Sequence, residues 1–78
     1  MPTLHTLGTL KIAMFARDHE PAHVHVIDAE VEWRIVIATG AVLTAEGRLS
    51  RKQQRAVLAW IAENRAFLQS TWAALRVG

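Results

Sequence analysis

The hydrophobic period of this 78-residue chain changes once, at Ser50, from two to about 3.6. Upstream of Ser50, Leu10, Ile12 and Met14 alternate with other residues, and His23-Val24-His25-Val26-Ile27 is a second alternating run. The clearest strand is Val31-Glu32-Trp33-Arg34-Ile35-Val36-Ile37, in which Val31, Trp33, Ile35 and Ile37 share one face and Glu32 and Arg34 the other. Gly8 marks a bend or bulge before the first strand, separating it from Thr3 to Leu7. Residues Arg17 to Ala22 read as a loop, Asp28 to Glu30 and Thr39-Gly40 as turns, and Ala41 to Thr44 as a returning strand. Short links between consecutive strands favour antiparallel pairing, because parallel strands need long crossovers.

Downstream, Ser50-Arg51-Lys52-Gln53 has the form of a capping box. Val57, Ile61, Leu68, Trp72 and Leu75 then keep one helical stripe, widened by Trp60 and Phe67. Asn64 interrupts that stripe and marks a kink or a split into two helices, and Gly78 ends the chain. The expected architecture is α+β: an antiparallel β-meander of three to four strands, its Trp33 and Ile35 face packed on a C-terminal helix, all within one domain spanning residues 1–78.

A hydrophobic fraction of 51% supplies a core and argues against disorder. The absence of cysteine excludes disulfides, thiolate metal sites and cysteine catalysis. A domain this small without such staples relies on its core or on a second copy of itself, so a partner protein or homo-oligomer is expected. No apolar run approaches the roughly 20 residues of a membrane span. The N-terminal residues lack a signal-peptide pattern, which reads as a cytoplasmic location. Net charge is only +2, a weak general case for RNA or DNA binding.

Chemistry concentrates in Arg17-Asp18-His19-Glu20-Pro21-Ala22-His23-Val24-His25-Val26. On a strand His23 and His25 project to one side, and Val24 and Val26 turn to the core. The rings are expected to face outward together beneath the acidic loop. His-x-His suits a divalent transition metal, with His19 and Asp18 or Glu20 as further ligands. Asp18, His19, His23 and His25 are therefore the candidate metal ligands. The same histidines can instead serve as acid and base in phosphodiester cleavage, with Arg17 or Arg34 stabilising the developing charge. They can also simply cap a turn or order an interface.

Arg48, Arg51, Lys52 and Arg55 surround a helix start and form a weaker nucleic-acid or anion candidate, with a solvated helix face as the plain alternative. Glu30 and Glu32 are either paired carboxylates or partners of Arg34. Trp33, Trp60 and Trp72 read as packing, and His5 as a surface residue.

Nearly the whole chain resembles the small bacterial proteins catalogued as domain of unknown function 4160. The resemblance is carried by Met1-Pro2-Thr3, Gly8, Met14-Phe15, Asp18-His19-x-Pro21-x-His23-x-His25, Glu30-x-Glu32, Trp60-Ile61 and Leu68-x-x-x-Trp72. The chain departs from the family pattern at Ala22, in place of a second proline, and at Val24, in place of phenylalanine. All three histidines and the aspartate are kept. The resemblance implies a compact α+β domain and no defined activity. It also implies membership of small two-gene modules of the toxin–antitoxin kind. Three functions follow as expectations: a protein-interaction module, foremost; a histidine-centred metal-binding protein or small ribonuclease; and a nucleic-acid-binding module.

Overall fold

The computed structural model of the chain describes residues 3–77. Met1, Pro2 and Gly78, cited above for the resemblance and for the end of the chain, lie outside the described residues. Five strands precede two helices: β1 (Thr3–Leu7), β2 (Leu10–Ala13), β3 (His23–Ile27), β4 (Glu32–Val36), β5 (Val42–Glu46), α1 (Arg51–Glu63) and α2 (Arg65–Val77). The strands form one sheet in the order β1-β2-β3-β4-β5, every neighbouring pair antiparallel. The fold is α+β, as the period change at Ser50 requires. Among the described residues no helix is long and apolar enough to cross a membrane.

The expectation of three to four strands is corrected to five. Gly8 does not merely bend the chain. Its φ of 62° gives the left-handed conformation that lets Leu7 and Leu10 pair directly, so Thr3–Leu7 folds back as a hairpin strand. The last strand begins at Val42 rather than Ala41, because the Ala41 carbonyl accepts from Val36 N–H (2.8 Å) and closes the β4–β5 turn.

Register sorts the side chains onto two faces. Ile12, Val26 and Trp33 lie in one cross-strand row, and Val24 and Ile35 in the next. With Leu10, Met14, Val57, Ile61, Leu68 and Trp72 they form one continuous apolar cluster. Ala13, His25, Arg34 and Thr44 form a row on the opposite face.

The helical half is interrupted where the stripe is broken. The Asn64 side-chain amide donates to Trp60 O (2.8 Å), and its backbone N–H donates to the Trp60 and Ile61 carbonyls. Asn64 thereby ends α1, and its own carbonyl accepts from Leu68 N–H (2.9 Å) at the start of α2. The capping box at Ser50 is present in both directions, at 3.0 and 2.8 Å. Gly47 (φ 81°) carries the chain past the β3–β4 turn so closely that a Cβ there would collide with the Glu30 carbonyl. Its own carbonyl accepts from the Trp33 indole N–H at 3.1 Å.

Candidate metal centre

Strand alternation in β3 puts His23 and His25 on the face opposite Val24 and Val26. The rings point the same way, as expected, with centroids 5.2 Å apart. They do not point into solvent. His23 is 4% and His25 6% exposed, which corrects the expectation of an outward-facing pair. The segment between β2 and β3 folds back over them. Phe15 meets the His25 ring edge-on at 4.6 Å, Trp72 of α2 lies 5.3 Å from the His23 ring, and Asp18 reaches both imidazoles.

The contacts are specific. Asp18 Oδ2 lies 2.8 Å from His25 Nε2 and 3.4 Å from His23 Nε2. His23 Nδ1 lies 2.8 Å from the Pro21 carbonyl, which can only accept, so Nδ1 carries the hydrogen. In a neutral ring that leaves His23 Nε2 as a bare lone pair aimed at a carboxylate. His25 has the mirror-image difficulty. If its Nε2–H donates to Asp18, its Nδ1 lone pair faces Glu32 Oε2 at 3.5 Å. His23 Nε2 and His25 Nδ1 are the two buried side-chain polar atoms without a hydrogen-bond partner among the described residues. Such atoms are costly unless something satisfies them.

Of the four predicted ligands, Asp18, His23 and His25 come together, one donor atom from each lying within 4.8 Å of the others. His19 is exposed and stays outside the group. Arg17 is exposed too. Arg34 pairs across from His25 on the same face and is also exposed. Glu20 accepts from the Trp72 indole N–H at 3.1 Å instead of offering a ligand. Arg48, Arg51, Lys52 and Arg55 are all exposed around the start of α1. A shallow concavity lined by Lys11, Ile27, Asp28 and Glu30 opens at the far end of β3 from His23.

Two participants in the site escaped the sequence reading, and one residue away from it was misread. Glu32 faces His25, although its alternation with Arg34 suggested only an ion pair. Arg76 donates to three carbonyls of the covering segment, Phe15, Ala16 and Asp18. Its position four residues after Trp72 was the available signal, since that spacing puts both on one helix face. His5, read as a surface residue, is half-buried and stacks on Trp60 with ring centroids 4.7 Å apart and planes 8° from parallel.

A protein-family model described as Domain of unknown function (DUF4160) matches residues 10–73, a span that contains Asp18, His23, His25, Glu32 and Trp72. Searches of curated proteins and of solved structures gave no significant match.

Proposed function

Because the chain belongs to the DUF4160 family, whose description names no activity, we propose from its own residues that it is a small module holding a divalent transition metal between Asp18, His23 and His25. The observation that carries this reading is the pair of buried nitrogens that face carboxylates at 3.4 and 3.5 Å yet make no hydrogen bond. One ion resolves both. It takes the His23 Nε2 and His25 Nε2 lone pairs and an Asp18 oxygen. His25 then keeps its hydrogen on Nδ1, where Glu32 waits. Both ligands would have Nδ1 held outward, by Pro21 O and Glu32, the outer-shell pattern typical of metal-bound histidine.

The two carboxylate–imidazole distances are near what a small ion needs, while the three ligand atoms together lie within 4.8 Å of one another and must draw in around it. Metal bonds of about 2.0–2.1 Å at tetrahedral angles separate ligand atoms by about 3.3–3.4 Å. Asp18 and His23 already stand 3.4 Å apart, and the 2.8 Å between Asp18 and His25 would open slightly. Nitrogen-rich ligation favours zinc, copper or nickel over magnesium or calcium. Three protein ligands leave a fourth position for water or a partner's side chain.

The test is metal analysis of tag-free protein with zinc and cobalt titration. One ion per chain, lost in His23→Ala and His25→Ala, is expected. Failure of the wild-type chain to bind zinc, cobalt, copper or nickel would overturn the reading.

A second reading has its own observation. β5 is an outer strand whose five residues are all exposed, with Val42 at 48% and Leu43 at 44%. Open edges with apolar side chains recruit further strands. This supports an interaction module, such as one half of a toxin–antitoxin pair, docking its partner along β5. Co-purification with the product of an adjacent gene tests it.

A further inference from the structure

Two of the three ligands sit in β3, His25 paired with both β2 and β4 and His23 with β4. The third, Asp18, lies in the irregular segment between β2 and β3. Its position depends on what holds that segment. Within the segment the Asp18 N–H donates weakly to Phe15 O at 3.3 Å. The stronger ties come from α2. Arg76 Nη2 donates to Asp18 O (2.8 Å) and to Phe15 O (3.4 Å), and Nη1 donates to Ala16 O (3.0 Å). The guanidinium itself lies over the Trp72 ring, 3.6 Å from its centroid. Trp72 then donates to Glu20 and packs against His23.

From this we infer that Arg76 is a positioning residue for the metal centre, and that ion binding and docking of the last turn of α2 stabilise one another. The inference rests on the metal reading given above. Its physical basis is that one planar fork gathers three carbonyls of the short segment that carries Asp18. The aromatic face beneath fixes the orientation of that fork. With the fork removed, the carboxylate must be ordered at the moment the ion binds, and the entropy cost falls on affinity. Linkage makes the effect reciprocal: an ion that holds Asp18 also holds Arg76, and through it the end of the helix. Arg76 does not touch the ion, and a lysine in its place keeps the charge but not the three-way geometry.

The experiment compares zinc affinity in full-length wild-type protein, Arg76→Gln, Arg76→Lys and, as a control for general destabilisation, Ile61→Val. Outer-shell changes at metal sites weaken binding about 10–100-fold. A loss in that range is expected for Arg76→Gln, an intermediate loss for Arg76→Lys, and none for Ile61→Val. Hydrogen exchange of wild-type protein supplies the reciprocal measurement. Zinc should slow exchange across Thr71–Arg76 in the wild type and leave it unchanged in His25→Ala. Wild-type affinity in Arg76→Gln overturns the inference while the metal site stands. If Arg76→Gln does not fold, unchanged exchange at the end of α2 on zinc binding overturns it equally. If the wild-type chain binds no zinc at all, the metal reading itself fails.

Discussion

The Trp72 indole N–H donates to the Glu20 carboxylate at 3.1 Å, joining α2 to a loop residue 52 positions earlier. The same side chain is 4% exposed, belongs to the apolar cluster, flanks His23 and carries the Arg76 guanidinium. One tryptophan thus belongs to the core and to the wall of the histidine site at once.

Replacing Trp72 by alanine removes both. Large aromatic truncations in cores cost about 3–5 kcal/mol, a large share of a small domain's stability. Trp72→Phe keeps most of the packing but not the donor, and should cost less. Denaturant unfolding measures both. A loss below about 1 kcal/mol in Trp72→Ala would show that the residue packs far more loosely than its burial indicates.

Ion binding should appear as stability. At a free zinc concentration a hundredfold above Kd, binding contributes about 2.7 kcal/mol. In a domain of this size that raises Tm by roughly 10 °C or more. Thermal unfolding with zinc, and again after excess chelator, should show the rise and its reversal. His23→Ala and His25→Ala should show neither. An equal zinc response in those variants would place the ion elsewhere.

Glu32 and Glu46 stand directly opposite one another on β4 and β5, a like-charge cross-strand pair. Glu46→Lys should stabilise the sheet by about 0.2–1 kcal/mol, an effect that shrinks with added salt. Glu32→Gln also relieves the repulsion but replaces the charged acceptor facing His25 by a weaker, neutral amide. Zinc affinity should therefore fall in Glu32→Gln and stay unchanged in Glu46→Lys. Equal affinities in the two variants would remove Glu32 from the site.

The β5 edge invites a different measurement. Leu43 is 44% exposed and contributes little to the core, so Leu43→Lys should alter stability by no more than about 0.5 kcal/mol. A charge on an open edge discourages strand addition. The variant should lose any partner or second copy that pairs there, as read by co-purification and light scattering. Retention of the complex with wild-type strength would move the interface off this strand.

Local chemistry made much of the molecule legible beforehand. The capping box at Ser50, the break at Asn64, the apolar face of β4 and the shared side of His23 and His25 each follow from spacings of a few residues. The misreadings have a common origin in long-range placement. Whether Gly8 bends a strand or reverses it depends on the φ value it adopts, which no neighbour dictates. Period two says which way the imidazoles point, but not that Phe15 and Asp18 will return to cover them. His19 sits beside a site residue in sequence and outside the site in space. Arg76 is 58 residues from Asp18 and bonds to its backbone.

The junction at Asn64 gives the chain an intolerance of length. α1 ends at Glu63 and α2 starts at Arg65, so a single residue sets the rotational phase of everything after it. One extra residue there would swing the second helix about 100° around its axis. Trp72 and Arg76 would then leave the loop together, and the histidine pair would be uncovered by an insertion made far from it.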